Sequence, residues 1–159
     1  MMRFLSCDWG TSSFRLRIVN LEEATIENEY VNDSGIQSVY NSYLESDGKV
    51  NRVHFYFDFL SNEIKKMADS LQVNLHEMLI VCSGMASSSI GIKELPYASL
   101  PMDVMGTSMG LEYFPISKEF NHSLLLLSGV QSADNVMRGE ETQLIGVVRQ
   151  LKDFSGKGI

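Results

Sequence analysis

Three short stretches of this chain hold side chains suited to chemistry. The first is Asp8-Trp9-Gly10-Thr11-Ser12-Ser13, with one carboxylate, one glycine and three hydroxyls in six residues. Gly10 allows a tight turn or a close approach to a ligand. Successive backbone N–H groups beside Thr11, Ser12 and Ser13 can face an anion. Asp8 is a hard oxygen donor, suited to Mg²⁺ directly or through water. A polar turn capped by an aspartate is the plainer reading of the same residues. The second stretch is Ser83-Gly84-Met85 and the hydroxyl-rich loop from Ala86 to Pro101. The third, Asp134 to Gln143, packs three acids, one Arg, one Thr and one Gln into ten residues. Acids in a helix first turn favour the macrodipole, which gives Glu140 and Glu141 a structural role beside any chemical one. Arg138 is a natural salt-bridge partner for them. A polyol ligand, however, needs several convergent donors and acceptors, and an attacking hydroxyl needs one carboxylate to orient or deprotonate it.

The elements that must position these stretches are legible in part. Phe14, Leu16 and Ile18 alternate with Arg15 and Arg17, the pattern of a strand with one buried face. With Met2–Cys7 before it and a short link between, the pair reads as an antiparallel hairpin with Asp8–Ser13 at its tip. Ala24–Val31 reads as a third strand and Ile36–Leu44 is ambiguous. Val53–Leu71 has helical spacing, with Phe55, Phe59, Ile64, Met67, Ala68 and Leu71 as its apolar stripe. Met78–Cys82 and Leu124–Leu127 are continuous apolar runs, as in strands buried on both faces. Glu140–Leu151 reads as a closing helix. Strands followed by alternating helices and strands predict an α/β fold with a mixed sheet. Ligands in such folds bind beyond the carboxyl ends of strands, where all three stretches fall.

The 159 residues suit one domain, and 44% are hydrophobic, enough for a sizeable core. Thirteen basic against twenty acidic residues give a net charge of −7. That balance argues against a nucleic-acid partner. No apolar run is long enough to cross a membrane, nor does the N-terminus read as a signal peptide, so a cytoplasmic location is expected. Cys7 and Cys82 each end a core strand and read as buried, reduced thiols. His54, His76 and His122 share no metal-ligand spacing. No phosphate-binding Gly-x-x-x-x-Gly-Lys run and no serine-hydrolase elbow is present.

The hairpin tip resembles the first phosphate motif of the acetate and sugar kinase/actin-like superfamily, an Asp-x-Gly-Thr/Ser-x-Ser turn. Asn135-Val136-Met137-Arg138-Gly139-Glu140-Glu141-Thr142-Gln143 is similar to the Asp-Val-Met-Arg-Gly-Glu-Glu-Thr-Gln signature of the 2-dehydro-3-deoxygalactonokinase family. Ser83-Gly84-Met85, then Gly91, Glu94, Pro96-Tyr97 and Pro101, resembles that family's Ser-Gly-Met…Gly-x-x-Glu-x-Pro-Tyr…Pro stretch. Asp8-Trp9-Gly10-Thr11 matches its start. The matches keep the family's order and span Asp8 to Gly146.

The resemblance implies an RNase H-like, actin-like ATPase lobe with helices on both faces of a mixed sheet. It implies ATP and Mg²⁺ as cofactors, and phosphorylation of a 2-keto-3-deoxy sugar acid at its terminal hydroxyl. By position, Asp8 would serve Mg²⁺, and Gly10, Thr11, Ser12 and Ser13 the phosphates. Ser83, Gly84, Met85, Ser88, Glu94 and Tyr97 would line the sugar pocket, with Arg138, Glu141 and Gln143. Asp134 and Glu140 are both candidates for the base, with Glu140 preferred. Four positions depart from the family pattern. Ser13 replaces Asn, Ser89 replaces Arg, Ile92 replaces Trp and Asn135 replaces Asp. A serine cannot offer a substrate carboxylate the bidentate grip of an arginine.

Superfamily kinases bind ATP between two lobes. Residues 1–152 are therefore expected to form the N-terminal kinase lobe and 153–159 a shortened interdomain connection, with the second, nucleotide-binding lobe absent. The isolated chain is then expected to turn over little, and ATP to bind only if a second lobe is supplied. The rival expectation is a non-catalytic lobe that binds a sugar acid or a protein partner. Self-association through an exposed apolar face belongs with either.

Overall fold

A computed structural model describes residues 2–46, 50–103 and 106–150. The hairpin forms as expected. Strands β1 (Arg3–Trp9) and β2 (Phe14–Asn20) pair antiparallel, with Cys7 opposite Leu16 and Asp8 opposite Arg15. Strand β3 (Thr25–Asn32) continues the meander, with a bulge in its pairing to β2 at Ile18/Val19. Alternation along β1 buries Leu5, Cys7 and Trp9 completely. It turns Asp8 to the opposite face of the sheet.

The ambiguous stretch after Gly35 is a helix, α1 (Ile36–Glu45). Helix α2 (Arg52–Leu71) follows, its first turn capped by the Asn51 side chain, which accepts from the N–H groups of Val53 and His54. Its buried face is centred on Tyr56, Leu60, Glu63, Ile64 and Met67, rotated from the expected stripe. Phe55, Phe59, Ala68 and Leu71 pack at its margins. Two polar groups account for the rotation. The Tyr56 hydroxyl donates to the Ile90 carbonyl at 2.5 Å, and the Glu63 carboxylate accepts from Tyr30 Oη at 2.8 Å and Asn32 Nδ2 at 2.6 Å.

Strand β4 (Ile80–Gly84) joins β1 in parallel and β7 (Leu124–Leu127) joins β4 in parallel. An edge strand that carried no clear pattern, β6 (Leu111–Phe114), pairs antiparallel with β7. The six-stranded sheet runs β3-β2-β1-β4-β7-β6. This is the α/β mixed sheet expected of an actin-like lobe. Between these elements three two-residue strands, β5 (Ala98–Ser99), β8 (Val130–Gln131) and β9 (Val136–Met137), form a second small sheet in the order β5-β8-β9. Helix α3 (Glu140–Gln150) follows. Leu151 and the expected connection at 153–159 lie outside the described residues.

The main core lies between the sheet and α1–α2. Trp9 is its hub, stacked on Phe59 at 5.0 Å and edge-on to Phe14 and Tyr56. Its indole N–H donates to the Ser34 carbonyl at 3.0 Å. Helix α3 starts on the other side, where Asp8 points: a β-carbon on Gly139 would stand 3.9 Å from Asp8 Oδ1. Cys7 and Cys82 are in register on β1 and β4, both buried and free, as the sequence suggested.

Candidate functional site

Asp8 is fixed because its neighbours are. Cys7 and Trp9 are fully buried on either side of it, and the strand leaves its side chain no choice of face. Its Oδ2 lies 3.5 Å from Arg15 Nη1, a partner on β2 that the sequence patterns did not flag. Beyond Asp8 the chain turns at Gly10, whose N–H donates to the Ser13 carbonyl at 2.9 Å. The tip is held from behind by α1. Ile36 N–H donates to the Gly10 carbonyl at 2.9 Å and Gln37 N–H to the Thr11 carbonyl at 3.1 Å. Gly35 makes this docking possible, since a β-carbon there would sit 2.3 Å from Ser12 Cα and from the Thr11 oxygen. Among the described residues, the N–H groups of Thr11, Ser12 and Ser13 have no acceptor within the protein. The hydroxyls of Thr11, Ser12 and Ser13 sit on exposed residues at the same tip.

Strand β4 brings the second stretch alongside. Ser83 is in register with Asp8, and Gly84 with Trp9. Gly84 has φ +86° and lies so close to β1 that a β-carbon would meet the Trp9 carbonyl at 2.6 Å. A tight 3-10 turn, Met85–Ser87, follows. The third stretch packs against the same point. Gly139, with φ +117°, sits so that its β-carbon would lie 3.2 Å from Gly84 Cα. Its N–H donates to both carboxylate oxygens of Glu141, at 2.9 and 2.7 Å.

Nine of the expected residues face one cavity of about 490 Å³: Asp8, Gly10, Thr11, Ser13, Met85, Tyr97, Arg138, Glu140 and Gln143, with Val136 and Gly139 as further lining residues. The other expected residues do not line it. Ser12 is exposed at the hairpin tip and is not among the lining residues. Ser83 and Gly84 pair with Asp8 and Trp9 on the neighbouring strand, and the buried Ser88 turns its hydroxyl to the Met85 carbonyl at 2.7 Å. Glu94 is exposed. Asp134 is exposed in a turn, its N–H directed at Ser132 Oγ at 3.4 Å. Glu141 is buried behind Gly139, and that burial raises its carboxyl above the ordinary value, against the opposing pull of the Gly139 N–H and Arg138. Glu140, in contrast, is exposed at the cavity, with Oε2 accepting from Arg138 N–H at 3.1 Å.

Ser87 was not singled out in the sequence, yet it is fully buried and receives Arg138. The guanidinium donates from Nη1 to the Ser87 carbonyl and, at 2.6 Å, to Ser87 Oγ. Only its place two residues past Met85 in a hydroxyl run hinted at this. The loop departure at Ser89 is likewise local: its carbonyl accepts from Arg52 Nη1 at 2.8 Å.

The hairpin, the mixed sheet and the convergent strand-end loops together define an actin-like lobe with a polar cleft. Comparison with known proteins agrees. The profile of the 2-keto-3-deoxy-galactonokinase family matches residues 8–157. The "Probable 2-dehydro-3-deoxygalactonokinase DgoK1" of Rhizobium meliloti (strain 1021) is 27% identical over 154 residues, covering 93% of this chain and 43% of that protein. The crystal structure of a protein described as a "putative 2-dehydro-3-deoxygalactonokinase" from Sinorhizobium meliloti superposes with a TM-score of 0.64 at 26% identity. It too is covered over 93% of this chain and 43% of its own length. The chain belongs to the 2-keto-3-deoxy-galactonokinase family, as its three motifs suggested. It spans less than half the length of both relatives. Among the described residues no helix is long and apolar enough to cross a membrane.

Proposed function

We propose that this chain is the sugar-binding and phosphate-contacting lobe of a sugar-acid kinase. With a second lobe that holds the nucleotide, the enzyme would transfer the γ-phosphate of ATP to the terminal hydroxyl of 2-dehydro-3-deoxygalactonate. The observation that carries this reading is the cavity itself. It joins two carboxylates, Asp8 and Glu140, to Thr11 and Ser13 of the hairpin tip, whose N–H groups have no acceptor among the described residues.

In this reading each group has one task. The N–H groups of Thr11 and Ser13 hold phosphate oxygens. Glu140 accepts the proton of the attacking sugar hydroxyl as its oxygen bonds to phosphorus and ADP departs. Gln143 and Tyr97 supply hydrogen bonds to the polyol. Among the described residues no three His, Cys, Asp or Glu side chains gather as a resident metal site. Mg²⁺ commonly needs only one or two carboxylates beside substrate phosphates, so the residues present fit an ion that arrives with the nucleotide. Asp8 would hold it, directly or through water, and the ion would neutralise charge on the transferring phosphate.

Calorimetric titration tests the reading. The 159-residue chain is titrated with 2-keto-3-deoxygalactonate and, separately, with Mg-ATP. Binding of the sugar acid with weak or no binding of nucleotide is expected. Failure of the folded chain to bind the sugar acid would favour the rival role, a non-catalytic lobe with a protein partner.

A further inference from the structure

Arg138 lines the cavity and would ordinarily be taken as the ligand of an acidic substrate. Its donors are largely committed elsewhere. A guanidinium has five N–H groups. Nε–H donates to Tyr97 Oη at 3.3 Å, Nη1 to both the carbonyl and hydroxyl of Ser87, and Nη2 to the Leu95 carbonyl at 3.5 Å. Its Cζ also lies 4.1 Å from the centroid of the Tyr97 ring. One Nη2 proton is left over. A bidentate grip on a carboxylate or phosphate needs two parallel N–H donors. Arg138 cannot supply them without releasing part of this loop.

The backbone builds the same connection. Strand β5 begins one residue after Tyr97 and β9 ends one residue before Arg138. Both pair with β8, Ala98 opposite Val130 and Met137 opposite Val130. Gly129 leaves the space in which ring and guanidinium stack, since a β-carbon there would meet Tyr97 Cε1 at 2.9 Å and Arg138 Cβ at 3.1 Å.

We infer that Arg138 is a positioning residue, a clasp that holds the 85–97 loop against the Gly139–Gln143 turn and so sets the shape of the cavity, rather than the ligand of the substrate's carboxylate. The inference rests on the proposed sugar site only for what that shape serves. Affinity should then depend on Arg138 for acidic and neutral sugars alike.

Amide hydrogen exchange across residues 86–98 tests the clasp without any ligand, in the wild-type chain, Arg138→Ala and Arg138→Lys. Exchange is expected to quicken about tenfold in Arg138→Ala, the scale of a lost hydrogen bond to a charged group. Arg138→Lys should lie between, and α2 should not change. Tyr97→Phe, which keeps the ring and removes one acceptor, gives a smaller quickening and serves if Arg138→Ala does not fold. Unchanged exchange in the folded variants overturns the proposal. Calorimetry then compares 2-keto-3-deoxygalactonate with the same sugar carrying a hydroxymethyl group in place of the carboxylate. Equal proportional loss in Arg138→Ala supports the clasp, and loss confined to the acid overturns it. If the wild type binds neither sugar, the proposed substrate fails while the exchange result still decides the clasp.

Discussion

Asp8 and Arg15 face each other across the β1–β2 hairpin, with 3.5 Å between Oδ2 and Nη1. The pair is loose and partly exposed. Arg15 Nε is buried and makes no hydrogen bond among the described residues, with Glu29 Oε2 3.6 Å away. A partly exposed ion pair of this kind contributes about 0–1 kcal/mol. Asp8 is therefore held in place by the burial of Cys7 and Trp9 rather than by its charge partner.

Asp8→Asn should consequently separate stability from chemistry. The melting temperature should move by no more than a few degrees, since only a weak pair is lost. In an enzyme in which this lobe is joined to its nucleotide-binding half, phosphoryl transfer should fall about 10²–10⁴-fold, the scale for a positioned catalytic group. Sugar-acid affinity measured by calorimetry should barely change. A large drop in melting temperature with turnover preserved would make Asp8 a structural residue.

Gly35 and Gly146 should respond in opposite directions to the same substitution. A methyl group on Gly35 would enter the backbone of Thr11 and Ser12 at 2.3 Å, so Gly35→Ala must push α1 away from the hairpin tip. Overpacking of this kind costs about 1–3 kcal/mol. Gly146 lies within α3, and among the described residues nothing comes inside 4 Å of its would-be β-carbon. Gly146→Ala should stabilise by about 0.5–1 kcal/mol through helix propensity. Chemical denaturation of both variants checks the signs.

How much of this was legible depends on range in sequence. The β1–β2 hairpin, β4, β7 and α2 announced themselves because apolar alternation and apolar runs are local signals. The strands β5, β8 and β9 have two residues each and carry no period to detect. The clasp between Arg138 and Ser87 joins residues 51 apart, and no local pattern records which donor meets which acceptor. Gly35 supplies room for a neighbour 23 positions earlier, Ser12, which no local pattern records. The burial of Glu63 was hidden for the same reason, since its partners Tyr30 and Asn32 lie on another element.

Glu141 should give the fold a pH dependence. Burial raises its carboxyl in the folded state above the value it has in the unfolded chain. Between those two values the folded state binds the proton and the unfolded state does not, so stability is greatest at low pH and falls as pH rises through the folded value. Denaturation midpoints measured across the acidic range should show this contribution, and Glu141→Gln, which cannot ionise, should remove it. A slope that is unchanged in Glu141→Gln would assign the dependence to other groups.

The two candidate bases can be told apart because the fold treats them differently. Glu140 opens α3 at the cavity, and the sugar hydroxyl and the Asp8 carboxylate would share that space with it. Asp134 sits six residues earlier in an exposed turn that its N–H and the side chain of Ser132 close. A proton acceptor must come within hydrogen-bond reach of the hydroxyl it serves, which the placement of Asp134 outside the cavity lining does not favour. Glu140→Gln keeps the size of the side chain and its acceptor for the Arg138 N–H, while removing basicity. In the two-lobed enzyme it should lower kcat about 10²–10⁴-fold with little change in sugar KM. Asp134→Asn, outside the cavity lining, should leave kcat nearly unchanged. The reverse ranking would move the base to Asp134 and require the 132–135 turn to swing into the cavity when substrate binds.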